Sequence, residues 1–305
     1  MARLFKIAFS ISIIVFYTSC ASLTKTQLKG INSYAQVLEK FSDYPGTIVK
    51  GFVQLKYETG QLNTGTIVNN AIVTESLWKS YYGKDKALKE AEKLDLSIQI
   101  IGEYAAALAK LSSTDLSDSI QSGSLRLGSN MSQLITEYNA VSNDKISINI
   151  GALVAKSIAF FGTRYTKNKQ AKDLKAFIHA GDPLVTQITE SIKKDLEKVV
   201  LEKWIPGLKD ELKTRHQNFL SNMPPKAEYR VYLANSYNKE VAEIIARIDH
   251  LEKITAKTIA AVDHIRKAHK ELLVCIQQKK KLKEVLVETQ AFYVSVRGIY
   301  KEAKM

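Results

Sequence analysis

Five histidines and two cysteines are the side chains of this 305-residue sequence best suited to metal binding or nucleophilic chemistry. The histidines are His179, His216, His250, His264 and His269. If the surrounding run is helical, His250 and His264 share a face but stand roughly 21 Å apart, too far to share a metal. His264 and His269 are five residues apart, a spacing that diverges on a helix. Asp249-His250 and Asp263-His264 are adjacent pairs, and adjacent residues on a helix do not face each other. The sequence contains no HExxH, CxxC, GxxxxGK, GxGxxG or GxSxG pattern. Its carboxylates form no constellation beyond solvated helix faces. Cys275 lies in the apolar run Leu272-Leu273-Val274-Cys275-Ile276 and reads as a small buried hydrophobe. These residues nominate no catalytic set, no metal site and no cofactor, so an enzyme is not the expectation.

Cys20 stands in a different setting. Arg3 and Lys6 flank a short positive start, Ile7 to Tyr17 is almost wholly apolar, and Thr18-Ser19 precedes the cysteine. A charged start, an apolar stretch of roughly 7–15 residues and small residues before a cut form the layout of a secretory signal. The stretch is shorter than the roughly 20 apolar residues a membrane-spanning helix needs. With Cys20 directly after the small residues, positions 1–22 resemble a bacterial lipoprotein signal. That resemblance implies a signal peptide over 1–19 and lipidation of Cys20 as the mature N-terminus. Tyr17 stands where such signals usually carry Leu, Val or Ile. Ala21, in place of the Asp that retains enterobacterial lipoproteins in the inner membrane, implies the outer membrane. Two other readings of the same residues stay open: ordinary secretion with a cut near Ser19-Cys20-Ala21, and an uncleaved N-terminal anchor.

The elements behind these residues read as helices. Apolar content is 45% and charged content 25%, which suits a folded chain. Only five prolines occur, leaving long stretches free of helix breakers. Residues 21–30 read as a tether ending at Gly30, and helical spacing begins with Ile31, Tyr34, Leu38 and Phe41. Asp43-Tyr44-Pro45-Gly46 predicts a turn. Further helices are expected over 47–82, from Asp85 to Leu111, and from Asp115 to about Val141. Gly181-Asp182-Pro183 predicts a break, with Asp as cap and Pro at the first helical position. Pro206-Gly207 predicts a kink or short break near Trp204.

From Lys226 to Met305 there is no proline. Val241, Ile244, Ile248, Leu251, Thr255, Thr258, Val262, Ile265, His269, Leu272 and Ile276 follow alternating spacings of three and four, a coiled-coil-like seam. Thr255, Thr258 and His269 place polar groups in that seam, where such groups fix register. This stretch is either one long helix or a hairpin folding back near Gln277 to Lys283. The fold expected is all-α: an elongated helical bundle over 31–305 with long coiled-coil-like C-terminal helices.

Charge is uneven. The net formal charge is +13. Residues 1–150 hold 15 Lys/Arg against 13 Asp/Glu, and residues 151–305 hold 29 against 18. A basic half attracts anionic surfaces. Arg164, Lys167, Lys169, Lys172 and Lys175, and then Lys279, Lys280, Lys281 and Lys283, are the candidate contacts for anionic lipid or glycan. No basic motif interleaved with aromatics of the RNA-binding type is present, so nucleic acid is not an expected partner. Residues 146–162, ISINIGALVAKSIAFFG, carry one charge, Lys156. They read either as a core helix or, in the manner of helical pore-forming proteins, as a membrane-inserting element. The sequence thus points to a non-enzymatic binding or assembly protein of the bacterial cell envelope, held to a membrane through Cys20. A membrane-active pore-forming protein is the alternative.

Overall fold

The computed structural model describes residues 23–42, 45–62, 70–113, 119–147, 167–222, 227–278 and 283–303. Every regular element among them is helical. The order is α1 (Lys25–Phe41), α2 (Pro45–Gln61), α3 (Asn70–Ser112), α4 (Ser119–Val141), α5 (Lys167–Lys194), a π-helical stretch (Asp195–Trp204), α6 (Ile205–Ser221), α7 (Ala227–Gln278) and α8 (Lys283–Ala303).

α1 starts earlier than glycine-based reasoning predicts. Thr24 Oγ1 accepts from the Gln27 backbone N–H at 3.2 Å, and Gln27 Oε1 accepts from the Thr24 N–H at 2.9 Å. This reciprocal pair is a capping box, which satisfies two orphan donors of the first turn. Gly30 therefore lies inside the helix, buried, rather than at the end of a tether. The first helix stops where expected, at Phe41, but Pro45 and Gly46 open α2 rather than forming a turn, since proline suits a first helical position. The helix expected over 47–82 is divided, because α2 ends at Gln61 and α3 begins at Asn70 and runs on without interruption to Ser112.

The Gly181-Asp182-Pro183 break is absent. α5 passes straight through, with Pro183 inside it. Pro183 cannot donate to the His179 carbonyl, but both residues are exposed on the outer face. On the inner face Phe177, Ile178, Leu184, Val185 and Ile188 are almost fully buried, and that packing outweighs the lost hydrogen bond. Near Trp204 the expected disturbance takes the form of a change in winding. The Ile205 N–H donates to the Val200 carbonyl, a five-residue step, as the π-helical stretch hands over to α6. Pro206 follows in the first turn of α6. A wider helix leaves room where the proline ring would otherwise press on the carbonyl of Glu202.

Hydrogen bonds fix how these elements lie. Asn32 of α1 donates to the Ala109 carbonyl of α3, and Ser42 packs beside Gly102, so the two helices are antiparallel. Gln170 of α5 donates to the Leu111 carbonyl at 2.9 Å, while Asp195 meets Lys93, so α3 and α5 are antiparallel too. The path Lys167–Ser221 runs against α7 over its length: Asp182 meets His269, Lys193 meets Asp263, Lys209 meets Asp249 and His216 meets Asn238. α8 folds back along α7, with His264 facing Glu288 and Lys257 facing Gly298. The C-terminal region is thus a hairpin. α7 alone has 52 residues and is roughly 80 Å long.

Every residue of the predicted α7 seam, from Val241 to Ile276, is buried in the common core. Tyr34, Tyr104, Tyr138, Phe41, Phe177 and Phe292 are its largest fully buried side chains. Of the apolar run 146–162, Ile146 is buried and non-helical, Ser147 is exposed, and the rest lies outside the described residues. Among the described residues, no helix is long and apolar enough to cross a membrane.

Candidate functional site

The only buried histidine among the described residues, His269, sits where four helices meet. Its side chain is 1% exposed. Nε2 lies 2.7 Å from the Tyr104 hydroxyl of α3, and Nδ1 lies 3.2 Å from Asp182 Oδ1 of α5. Tyr34 of α1 tilts against the imidazole at 6.2 Å between ring centres, and its hydroxyl donates to the Ile265 carbonyl at 3.2 Å. The partners place one ring proton. An ionised carboxylate only accepts, so Nδ1 carries a proton, and the Tyr104 hydroxyl, which can donate or accept, satisfies Nε2. The hydrogen bond from His269 holds the Asp182 carboxyl below its ordinary value, against the upward push of burial. Burial pushes the Tyr34 and Tyr104 phenols well above theirs, so both stay protonated.

Gly181 makes this junction sterically feasible. Tyr104 stacks on Phe177 at 5.0 Å and lies flat over the α5 backbone. A Cβ at position 181 would fall 2.6 Å from the Tyr104 hydroxyl oxygen. The tripeptide that reads as a helix break in the sequence is therefore a docking place for a ring. In chemical terms Asp182, His269 and Tyr104 form a carboxylate–imidazole–phenol chain, with the Asp182 end more than a third exposed and the imidazole and phenol buried where α1, α3, α5 and α7 meet. What the chain does in the closed bundle is satisfy every polar group at a four-helix crossing.

A second buried polar contact lies further along the α3–α5 interface. Lys93 Nζ is 2.8 Å from Asp195 Oδ2 and 3.1 Å from Oδ1, with the two side chains 11% and 9% exposed. Burial pushes the Asp195 carboxyl up, and Lys93 draws it partly back. For Lys93, burial is outweighed by the hydrogen bond and charge of Asp195, so the ammonium is held on. Asp195 opens the π-helical stretch, and nearby Tyr138 meets Ser191 at 2.9 Å. Removing either member of such a pair strands the other charge in the core.

The third place of interest is open. A cleft of about 360 Å³ lies between α6 and α7. Leu212, Val241 and Ile248 form its floor, Ile245 is half exposed on its rim, and Lys209, Lys213, His216 and Asp249 supply its polar edge. His216 Nε2 is 2.9 Å from Asn238 Oδ1 and lies nearly parallel to Tyr237, which in turn stacks on Phe219 at 3.7 Å. Lys209 is held by Asp249 at 3.2 Å and Glu252 at 2.6 Å.

The residues singled out in the sequence fall into several groups. Cys20, Arg164, Lys279, Lys280 and Lys281 lie outside the described residues. Lys167 and Lys169 are in the first turn of α5, and Lys283 is the first residue of α8. Lys172 is exposed and Lys175 half-buried. Cys275 is buried in the core, and His269 holds the seam position its spacing assigns. Tyr34, Tyr104 and Asp182 were not legible as its partners, since they arrive from three other helices. Among the described residues, no cluster of three or more His, Cys, Asp or Glu could hold a metal ion.

The fold is an all-α bundle with a buried histidine junction, and among the described residues a cleft opens between α6 and α7. No protein-family model, curated protein or solved structure matches the chain.

Proposed function

We propose that this chain is a lipid-anchored, non-enzymatic protein of a bacterial cell envelope that acts as a rigid binding or assembly element. The observation that carries the reading is Cys20, placed directly after a charged, apolar and then small-residue leader. Acyl chains on Cys20 would hold the protein at the membrane, since each buried methylene contributes about 0.8 kcal/mol and two or more chains anchor stably. The bundle begins at Lys25, five residues on, so the anchor leads almost directly into a rigid body. The most conspicuous buried histidine, His269, is occupied in helix packing, and the open α6–α7 cleft offers an apolar floor to a partner.

Membrane fractionation tests this reading. Wild type is expected in the membrane pellet after high-salt washing and is released by detergent. Cys20→Ser is expected in the soluble fraction. A soluble wild type would rule the lipid anchor out, as would a pelleted wild type whose intact mass carries no acyl chains.

A further inference from the structure

The antiparallel pairings place six chain positions at one end of the bundle. α1 starts there, because Asn32 lies beside Ala109 and Ser112 of α3. α3 ends there, and α5 starts there, because Gln170 donates to the Leu111 and Ser113 carbonyls. α4 starts there, because Asn130 reaches back to Glu103 of α3. α7 ends and α8 begins there, because residues 182, 193 and 209 of the α5–α6 path meet 269, 263 and 249 in descending order, which puts the first turns of α5 beside the last of α7. Lys167, Lys169 and Lys172 of α5 and Lys283 of α8, more than a hundred residues apart in the sequence, thus fall at the same end.

The described side chains there are mostly lysines. Across the terminal turns, α1 contributes Lys25 and Lys29, α3 contributes Lys110 and α5 contributes Lys172, with Lys270 of α7 one turn further in, all exposed. The described acidic side chains on the terminal turns at this end are Asp173, Glu271 and, on α8, Glu288, all half-buried. A pocket of about 460 Å³ at this end is lined by Lys25, Leu28, Lys29, Asn32, Ser112 and Ser113. Ammonium, amide and hydroxyl groups over a small apolar base suit a phosphate oxygen with the start of a chain behind it. The occupant follows from where the chain leads. Only residues 20–24 separate the anchor position from Lys25, a span of at most about 18 Å.

We infer that this basic end of the bundle docks on an anionic phospholipid surface, with the headgroup phosphates meeting Lys25, Lys29, Lys110 and Lys172 while the Cys20 acyl chains enter the bilayer beside them. The inference rests on the lipid-anchor reading for its orientation, and it makes the attachment twofold, since an acyl chain and a basic patch together bind more firmly than either alone. The bundle then stands on this end and carries the α6–α7 cleft away from the membrane.

The test uses the Cys20→Ser chain from position 20 to Met305, so that no acyl chain contributes. Sedimentation with phosphatidylglycerol-rich vesicles is compared with sedimentation with phosphatidylcholine vesicles. Binding to the first and not the second is expected. Four substitutions, Lys25→Gln, Lys29→Gln, Lys110→Gln and Lys172→Gln, are then made together. At about fivefold in partition per lysine close to the surface, they are expected to weaken binding on the order of a hundredfold or more. A second protein with Lys198→Gln, Lys203→Gln, Lys239→Gln and Lys253→Gln loses the same charge from exposed sites elsewhere and is expected to keep most of its binding. Equal binding to both vesicle types would overturn the inference, and so would an equal loss in the two quadruple variants. Intact mass of the wild type reads the anchor separately. A chain without acyl mass that still prefers anionic vesicles would end the lipoprotein reading and leave the docking face standing.

Discussion

His269 and His216 are built from similar components and do opposite things. Each imidazole lies against tyrosine and meets a polar side chain: Tyr104, Tyr34 and Asp182 for His269, Tyr237 and Asn238 for His216. His269 is sealed among four helices, with both nitrogens satisfied and a glycine cut away to admit its partner's ring. His216 stands at the edge of an open cleft. The difference lies in coverage rather than composition. A buried polar group costs a great deal when stranded, so the first site is committed to holding helices in register. The second is backed by the Tyr237–Phe219 stack and leaves the cleft free to receive another surface.

The largest expected effect comes from emptying the first site. Tyr104→Ala removes a fully buried ring that stacks on Phe177 and satisfies His269. It is expected to cost about 3–5 kcal/mol in urea denaturation, enough to threaten folding. Gly181→Val attacks the same contact from α5. The new side chain collides with a ring that has no free direction to move, and overpacking is expected to cost about 3 kcal/mol, well above the small gain in helix propensity. A loss under 1 kcal/mol for Gly181→Val would mean that the ring does not lie over this backbone.

Acid sharpens the comparison. Asp182 has its folded-state carboxyl held below the ordinary 3.8. Its contribution to stability is therefore present above that ordinary value and is lost as pH falls through the lower folded value. Thermal melts between neutral pH and pH about 3 are expected to show this loss, and Asp182→Asn is expected to flatten it. The smallest effect belongs to the open site. Ile245→Ser, on the cleft rim, is expected to change stability by no more than about 0.5 kcal/mol. A large destabilisation there would show the cleft to be core rather than surface.

The seam of α7 was legible because a three-four repeat survives any change of neighbour: from Val241 to Ile276 each position faces inward as its spacing demands. His269 belonged to that repeat, and its role in fixing packing could be read from it. Its partners could not be read, because Tyr34, Tyr104 and Asp182 lie 235, 165 and 87 residues away and no local pattern ties them together. Gly181-Asp182-Pro183 misled for a physical reason. Each residue type is a breaker on local grounds, yet the glycine admits a ring, the aspartate receives a hydrogen bond and the proline sits on the outer face. Gly30 misled in the same way, and the Thr24–Gln27 capping pair was the local signal that placed the helix start correctly. The two basic runs were visible in the sequence, but the placement of the starts of α5 and α8 at one end follows only from the antiparallel order of the helices.

A double-mutant cycle on Tyr104→Phe and His269→Leu tests most directly whether the histidine junction holds the bundle together. If the Tyr104 hydroxyl and His269 Nε2 satisfy one another, each single substitution strands its partner and costs roughly 1–3 kcal/mol, and the double variant costs clearly less than the sum, with a coupling of about 1 kcal/mol or more. Additive losses, or a His269→Leu protein as stable as wild type, would contradict the account and leave His269 free for another purpose.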